Sequence, residues 1–316
     1  MTMPSHAAEC LRRVLPFLLL IAAFAGLPLV LSQFHQLLLI EAILYGLFAM
    51  SLDVTLGYTG LVSFGHAAFF GVGGYAMGLF LSKIQSSFWP ALLFSGGVVV
   101  ALSLFIGYVS IRAQGIFFAI LTLGFAEVIF RIIFNTHYFG GSDGLRNIPI
   151  PDIPLGIVSI KIADPFVFYY FVLGFALLAF GINLRFVKSP FGSVLKAIRE
   201  NEHRVSFIGY HIKRFKMVSF AFSALFAGLS GALFTAFKGF ADPEQLHFLL
   251  SGKGIIMALI GGMGTLIGPI LGGIFLTIFE TIISSYTSAH LIITGSVFIV
   301  MVIFLPKGVW GLISRK

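Results

Sequence analysis

The residues of this sequence that could do chemistry are a few ionisable side chains inside or beside long apolar stretches. Glu127 and Arg131 lie four positions apart with the acid first, the order that favours an ion pair along one helix. Asp53 and Glu41 lie near the ends of apolar stretches, where an interfacial position would account for each charge. Glu280 has no obvious local partner, so we expect it to face a subunit interface or a polar pathway through the protein.

No motif for nucleotide hydrolysis or metal catalysis accompanies these charges. A phosphate-binding loop has the pattern G-x-x-x-x-G-K-[ST], and Ser251-Gly252-Lys253 lacks the upstream glycine. The sequence has no H-E-x-x-H motif, and its single cysteine, Cys10, precedes the first apolar stretch. We therefore expect that the protein is not an enzyme and that it binds no metal or cofactor itself. The energy for its activity should then come from a partner protein.

The composition predicts a membrane protein. Apolar residues make up 58% of the chain and charged residues only 10%, against about 25% charged residues in soluble domains. The mean hydropathy is +1.03. The 37 phenylalanines and 36 glycines suit lipid-facing surfaces and close helix contacts. A soluble fold is excluded, and we predict an all-α, polytopic transmembrane helical bundle.

Apolar stretches of about 20 residues mark the predicted membrane spans. They are Val14–Leu31, Leu37–Leu56, Leu61–Leu81, Trp89–Val109, Ile116–Phe134, Pro165–Leu184 and Phe215–Phe237. The first stretch could instead be a signal peptide, because Arg12 and Arg13 precede it and Ala23-Phe24-Ala25 resembles a cleavage site. We favour an uncleaved span, since the apolar run continues beyond Ala25.

The positions of lysine and arginine predict the orientation. One loop, residues 185–216, is strongly basic and carries Arg185, Lys188, Lys196, Arg199, Arg204, Lys213, Arg214 and Lys216. The positive-inside rule places this loop and the basic termini in the cytoplasm, and it places the linker 135–164, which has no basic excess, outside. The net charge of +8 is explained in this way without a nucleic-acid partner.

The orientation restricts the number of spans. Six spans lead from a cytoplasmic N-terminus to the basic loop, and a seventh leaves the cytoplasm, so the stretch Gly254–Leu305 must cross an odd number of times. A single crossing would leave much of this apolar stretch outside the membrane, whereas three short crossings would account for most of it. We predict about ten spans, with eight as the alternative. The chain then divides into a cytoplasmic tail (1–13), one transmembrane domain (14–306) and a second cytoplasmic tail (307–316).

Two glycine-rich segments could either pack tightly or line a pathway. The candidate residues are Gly60, Ser63, Gly65, His66, Gly71 and Gly74 in the first segment, and Gly261, Gly262, Gly264, Gly268 and Pro269 in the second. For the first segment we favour close helix packing; a discontinuous helix whose amides line a pathway is the alternative. We expect His66 to be a buried, hydrogen-bonded structural residue. Gly268-Pro269 should break a helix in a packed or cavity-lining position.

The basic loop contains a predicted short amphipathic helix. Ser189-Pro190 can start a helix with proline at its first position. Apolar residues then recur near helical spacing with charges between them, at Val194, Leu195, Ile198 and Val205. Such a helix is too polar to enter a bilayer deeply, and we expect it to lie in a groove on a soluble partner. A basic loop that only sets the orientation is the alternative.

The segment that starts at Ser189 resembles the corresponding loop in permeases of branched-chain amino acid ABC importers. It reads SPFGSVLKAIRENEHRVSFIGYHIKRFKMVSFAFSALFAGLSGAL. In that family the loop carries a coupling helix that docks on the ATPase subunit. The family pattern, an Ala-Ile-Arg-Glu-Asn core followed by a glycine, is matched by Ala197, Ile198, Arg199, Glu200, Asn201 and Gly209. Together with Leu195 and Lys196, these residues form the coupling segment that the resemblance implies. The segment Glu202–Ser206 is more charged than is usual in the family.

Further stretches resemble the same family: LGYTGLVSFGHAAFFGVGGYAMG (Leu56–Gly78), ALIGGMGTLIGPILGGIF (Ala258–Phe275) and LPKGVWGL (Leu305–Leu312). The resemblance thus covers the chain from about Leu44 onward. Within the family, the chain looks like the second of two paired permeases.

The resemblance implies a permease of the inner membrane that transports leucine, isoleucine and valine. It implies a related second permease, two ATPase subunits that bind ATP and Mg, and a soluble substrate-binding protein. A permease for urea or short-chain amides would have the same architecture and remains an alternative. An ion-coupled secondary transporter is a second alternative, although it predicts paired intramembrane carboxylates and no coupling loop.

Overall fold

Helices account for most of the described chain. The computed structural model describes residues 22–313 except 156–157, 163, 288 and 305–307. The helices are α1 (described over residues 22–30), α2 (Gln33–Asp53), α3 (His66–Lys83), α4 (Phe88–Ser110), α5 (Ile116–Asn135), α6 (Pro165–Lys188), α7 (Pro190–Glu200), α8 (Glu202–Phe207), α9 (Ile212–Lys238), α10 (Phe248–Gly261), α11 (Ile267–Tyr286), α12 (His290–Phe304) and α13 (Gly308–Ile313). Cys10 and the first part of the predicted span Val14–Leu31 lie outside the described residues.

Six of the described helical segments have the length and apolarity needed to cross a membrane. They are Gln33–Thr59, Phe88–Ser110, Ile116–Asn135, Pro165–Lys188, Ile212–Lys238 and Ile267–Tyr286. Phe248–Gly261 and Ile292–Met301 are shorter apolar helices. A polytopic helical bundle is therefore confirmed, and the chain is a multi-pass membrane protein. The count of about ten spans stays a prediction.

The break between α2 and α3 is a π-helical turn followed by irregular backbone. The turn comprises Val54–Thr59, and Gly60 ends it with φ +78°, a left-handed conformation that glycine adopts without a steric penalty. Regular helix resumes at His66. The predicted spans Leu37–Leu56 and Leu61–Leu81 correspond to α2 and α3, separated by residues 60–65.

Local capping explains where α6 begins. The side chain of Asp164 accepts a hydrogen bond from the backbone N–H of Phe166 at 3.0 Å, and Pro165 takes the first helical position, where no backbone N–H is needed. The predicted start of this span is confirmed.

The described part of the stretch 254–305 is divided among three helices, where the sequence predicted three short crossings. Helix α10 ends at Gly261, α11 begins at Ile267, and α12 follows Tyr286 after a short connection. Pro269 lies in the first turn of α11, where its missing N–H leaves no helical hydrogen bond unmade. The break therefore lies before Gly268-Pro269, and α10 begins earlier than expected, at Phe248.

The centre of the bundle is the contact between α3 and α9. Gly73 lies against the backbone of Gly228, and Gly231 lies against the carbonyl of Phe70, so close that a Cβ atom at Gly73 or Gly231 would overlap the opposing backbone. Small residues at such positions let two helices approach closely. By contrast, α4 and α5 expose large apolar side chains, among them Leu93, Phe105 and Phe117.

One short hairpin departs from the predicted all-α fold. Strands β1 (Ile153–Leu155) and β2 (Val158–Ile160) pair antiparallel, with Ile153 opposite Ile160. The hairpin lies within the linker 135–164, which is also tied to the end of α9 by an antiparallel bridge between Leu145 and Ala241. Segments this short lack the alternating pattern from which strands are predicted.

Candidate functional site

The predicted amphipathic helix of the basic loop is two helices, not one. Ser189 caps α7 by accepting a hydrogen bond from the N–H of Gly192 at 3.3 Å, and Pro190 is its first residue. Asn201 ends α7 and caps α8, because its side chain accepts from the N–H of Arg204 at 3.0 Å. The strong capping preference of asparagine is the signal that could have revealed this break.

The apolar face of α7 is turned toward the bundle. Leu195 and Ile198 are 0% and 1% exposed, and Val205 on α8 is buried as well. The expectation that this face fills a groove on a soluble partner is therefore wrong for these side chains. The surface of α7 and α8 left for a partner combines polar side chains, among them Lys196 and Glu200, with the exposed Phe207 at the end of α8.

Arg199 joins α7 to the end of α2. Its guanidinium donates a hydrogen bond from Nη1 to the carbonyl oxygen of Gly57, in the π-helical turn. Carbonyls in the last turn of a helix have no partner within the helix, and a basic side chain can supply one. The side chain also lies along Gly60, where an added Cβ atom would be 3.1 Å from Cγ of Arg199. Lys196 lies over the ring of Tyr58, 5.4 Å from its centroid.

Asp53 joins the same end of α2 to the α10–α11 loop. Its carboxylate accepts hydrogen bonds from the N–H of Gly264 at 2.7 Å and from that of Leu266 at 3.2 Å. Asp53 is fully buried within the protein, so its charge is accommodated by hydrogen bonds and not by solvent, while its position near the end of a span stays a prediction. The loop turns sharply, with φ +80° at Gly264 and +61° at Leu266, and the carboxylate satisfies amides at the start of α11.

Arg199 and Asp53 meet at Gly264. A Cβ atom added there would lie 3.6 Å from Nη1 of Arg199, and the amide of the same glycine bonds to Asp53. A buried carboxylate is stable only when it is hydrogen bonded and paired. The basic loop, the end of α2 and the α10–α11 loop therefore form one polar cluster, which we call the Arg199–Asp53 cluster: Asp53, Gly57, Arg199, Gly264 and Leu266.

A partly buried ion pair connects α8 to α9. Lys216 forms a salt bridge with Glu202, and the Lys216 side chain is only 3% exposed. In the sequence Lys216 was one of several lysines in a basic loop, with nothing to mark it as buried. Removing one member of such a pair leaves an uncompensated charge, so this contact holds the basic loop rigidly to a long helix of the bundle.

The first glycine-rich segment is packed against other helices of this chain. Added Cβ atoms at Gly65, Gly71 and Gly74 would collide with Thr122, Leu246 and Thr235 respectively. Ser63 is buried, and its hydroxyl accepts a hydrogen bond from the N–H of Gly65 at 3.3 Å. This geometry supports the packing interpretation for the buried members, whereas Gly60 is exposed beside Arg199.

His66 is fully buried and belongs to a chain of hydrogen bonds. The hydroxyl of Ser223 donates to the carbonyl of Ser51 and lies 2.7 Å from Nε2 of His66. Since that hydroxyl has one proton, Nε2 must be the donor to it. Ser223, which no sequence pattern marked, thus joins α2, α3 and α9.

The second glycine-rich segment forms the close contact between α10 and α11. Gly261 and Gly268 face each other, and a Cβ atom on either would overlap the other's carbonyl. Gly262 takes φ +116° in the loop between the two helices. Pro269 and Gly268 are both buried, as expected for a packed position.

Further ion pairs lie elsewhere in the described part of the chain. The predicted pair of Glu127 and Arg131 is confirmed, with Nε of Arg131 at 2.7 Å from Oε1 of Glu127. Glu280, for which we expected no local partner, forms a salt bridge across helices with Lys253. Sequence reasoning missed this pair because its residues lie on different helices. Glu41 bonds to Lys238 at 2.7 Å.

The sequence-predicted coupling residues and the second glycine-rich segment meet at one end of the bundle, while His66 and its neighbours lie in a separate cluster. Within the described part of the chain, no group of three or more His, Cys, Asp or Glu residues could hold a metal ion. The Arg199–Asp53 cluster has hydrogen bonds and opposite charges but no activated nucleophile. Its hydrogen bonds connect α7 to the end of α2 and to the loop before α11.

The comparisons with known proteins all point to one family. A family model described as "Branched-chain amino acid transport system / permease component" matches residues 35–305. The high-affinity branched-chain amino acid transport system permease protein LivM of Salmonella typhimurium is 28% identical over 97% of this chain and 77% of its own. LivM of Escherichia coli is 30% identical over 84% of this chain and 67% of its own. The LivH permease of Escherichia coli is 23% identical over 84% of this chain and 91% of its own. No solved structure matches the chain.

Proposed function

The chain belongs to the branched-chain amino acid transport system permease family, and we propose that it forms part of the translocation pathway of an ATP-driven importer of leucine, isoleucine and valine. The substrate class follows from the LivM and LivH relatives, whose names specify branched-chain amino acid transport. A soluble binding protein delivers the amino acid, and separate ATPase subunits bind ATP and Mg. The permease itself is not a catalyst.

The observation that carries this proposal is the attachment of α7 to two other parts of the bundle through Arg199 and Asp53. Arg199 bonds to Gly57 at the end of α2, and Asp53 bonds to Gly264 at the α10–α11 loop. A loop that only set the orientation would need no such contacts.

The coupling segment is Leu195, Lys196, Ala197, Ile198, Arg199, Glu200, Asn201 and Gly209. Its polar surface and the exposed Phe207 and Ile208, which are 89% and 74% exposed, contact the ATPase subunit. When the ATPase subunits close on ATP, they displace α7. Because Leu195 and Ile198 pack on the bundle and Arg199 bonds to α2, the displacement reaches α2 directly and α11 through Asp53.

The topology we propose has ten spans with both termini in the cytoplasm. The spans are the predicted first one together with α2, α3, α4, α5, α6, α9, α10, α11 and α12. Contacts at the two ends of the bundle support this order. The ion pair of Glu41 and Lys238 joins α2 to α9 near the end assigned to the outside, and the bridge between Leu145 and Ala241 joins two loops at that end. The Arg199–Asp53 cluster gathers those assigned to the cytoplasm.

The assembly we propose is a heterodimer of this chain with a related permease, two ATPase subunits and one binding protein, located in the inner membrane. The domain boundaries are the ones predicted above, with a transmembrane domain of residues 14–306, an external linker of 135–164 and a cytoplasmic coupling loop of 185–216. Because the glycines are tightly packed within this chain, the translocation pathway is lined by side chains at the interface between the two permease subunits.

The test is to reconstitute the chain with its partner subunits in liposomes and to measure ATP hydrolysis and uptake. We expect stimulation by a binding protein loaded with leucine and none by one loaded with urea. Uptake by the chain alone, driven by a proton or sodium gradient, would show a secondary transporter and contradict the proposal. Stimulation by urea would preserve the permease role and overturn the substrate.

A further inference from the structure

A groove lies between the end of α4 and the beginning of α9. Two adjoining cavities of about 470 and 510 Å³ form it, and both are lined by Ile111, Arg112, Lys213 and Arg214. The two helices are in close contact at its inner end, where an added Cβ atom on Gly107 would be 2.8 Å from Sδ of Met217. We call this the α4–α9 groove.

The α4–α9 groove is strongly basic. Arg112, Lys213 and Arg214 are all exposed, and none forms a salt bridge with a carboxylate among the described residues. The one acid in the lining, Glu202, is already paired with Lys216. Helix α9 also begins in the groove without a side-chain cap, so the positive end of its dipole adds to the attraction for an anion.

The other side of the groove is apolar. Tyr108, Met217 and Val218 line it, and Tyr108 and Val218 are 63% and 47% exposed. Tyr108 continues the exposed apolar surface of α4, on which Leu104 and Phe105 are also exposed, and both α4 and α9 could span a membrane. The guanidinium of Arg112 lies over the ring of Tyr108, 4.6 Å from its centroid. Aromatic and basic residues are typical of the boundary between hydrocarbon and headgroups.

We propose that the α4–α9 groove binds an anionic phospholipid from the membrane leaflet next to the basic loop. Its phosphate contacts Arg112, Lys213 and Arg214, and its acyl chain lies along Tyr108, Met217 and Val218. Charge complementarity selects an anion, and the continuous apolar wall selects an amphiphile over a free phosphate. Basic pockets between membrane helices bind anionic headgroups in this way. Because α9 is fastened to α8 through Lys216 and Glu202, the lipid would stabilise the coupling loop.

The experiment uses the complete complex in nanodiscs that contain phosphatidylcholine and phosphatidylglycerol, with retained lipid measured by native mass spectrometry. We expect retained phosphatidylglycerol to exceed phosphatidylcholine by on the order of tenfold relative to the bulk composition, since three cations face the headgroup. The triple variant Arg112→Gln, Lys213→Gln, Arg214→Gln should lose this preference. The control Arg146→Gln, in the external linker, should retain it.

A charge-conserving variant, Arg112→Lys with Arg214→Lys, separates loss of charge from loss of fold and should keep most of the preference. The proposal is overturned if the triple variant remains assembled and still retains phosphatidylglycerol, or if inorganic phosphate displaces the lipid. It is also overturned if the triple variant keeps the lipid but releases the ATPase subunits, because the groove would then be a protein-docking surface.

Discussion

The guanidinium of Arg199 donates a hydrogen bond to the carbonyl of Gly57, joining residues 142 positions apart in the sequence. This bond places a side chain of the basic loop at the open end of a membrane-spanning helix. It satisfies a carbonyl that the helix cannot. Because α7 and α2 are far apart along the chain, this hydrogen bond is a direct contact between two distant segments.

Replacing Arg199 with glutamine should uncouple ATP hydrolysis from the binding protein. A hydrogen bond from a charged group contributes about 1.5–3 kcal/mol, so we expect substrate-stimulated uptake to fall by about tenfold or more, while basal ATP hydrolysis continues. Uptake and hydrolysis by the reconstituted complex check this. Lys188→Gln, an exposed change in the same loop, is the control and should leave uptake unchanged. Normal stimulation in the glutamine variant would remove Arg199 from the coupling route.

Replacing Asp53 with asparagine should destabilise the protein. The asparagine side chain has one acceptor oxygen in place of two, whereas the backbone N–H groups of Gly264 and Leu266 both donate to this side chain. The substitution also removes the negative charge near Arg199. We expect the free energy of unfolding to fall by about 2–3 kcal/mol, seen as a lower Tm in detergent. Asp143→Asn is the matched control, because Asp143 is 75% exposed. Equal Tm values for both variants would contradict the structural role of Asp53.

Replacing Gly73 with alanine should separate α3 from α9. The new methyl group would overlap the backbone of Gly228, and overpacking of this kind costs about 1–3 kcal/mol. Gly97→Ala and Gly124→Ala are controls in α4 and α5, because nothing lies within 4 Å of a Cβ atom at either position. Both controls should be neutral or slightly stabilising. The yield of folded protein and its Tm are the measurements, and a neutral Gly73→Ala would contradict the close contact.

The ion pair of Lys253 and Glu280 should show strong coupling in a double-mutant cycle. Lys253→Met leaves a carboxylate unpaired among apolar helices, and Glu280→Gln leaves an ammonium unpaired. Each single change should therefore lower Tm more than the double variant does. Thermal unfolding of the four proteins in detergent provides the cycle. Additive effects on Tm would show that the two charges do not interact and would contradict this prediction. Arg131→Gln is the control, because it removes a cation from an ion pair in which the arginine is 63% exposed.

Much of the architecture followed from the sequence. The apolar stretches predicted the long helices, including the starts of α5 at Ile116 and α6 at Pro165, because length, hydropathy and capping are local properties. The resemblance of the basic loop to branched-chain amino acid permeases is confirmed by the family match. The pair of Glu127 and Arg131 was also predictable, since helical spacing alone brings them together.

Contacts between distant residues could not be predicted in this way. No local pattern indicates that the fold buries Asp53 against the amides of Gly264 and Leu266. The apolar face of α7 suited a partner's groove, yet the bundle itself covers Leu195 and Ile198.

The sequence by itself determined the membrane environment, most of the long helices, the family and the position of the basic loop. Only the tertiary structure decided that Arg199 is bonded to Gly57, that Asp53 holds the α10–α11 loop, and that Arg112 lies beside Lys213 and Arg214. The physical reason is that hydropathy and capping act within one element. Hydrogen bonds and ion pairs between helices depend on which faces are brought together, and a single sequence does not record that.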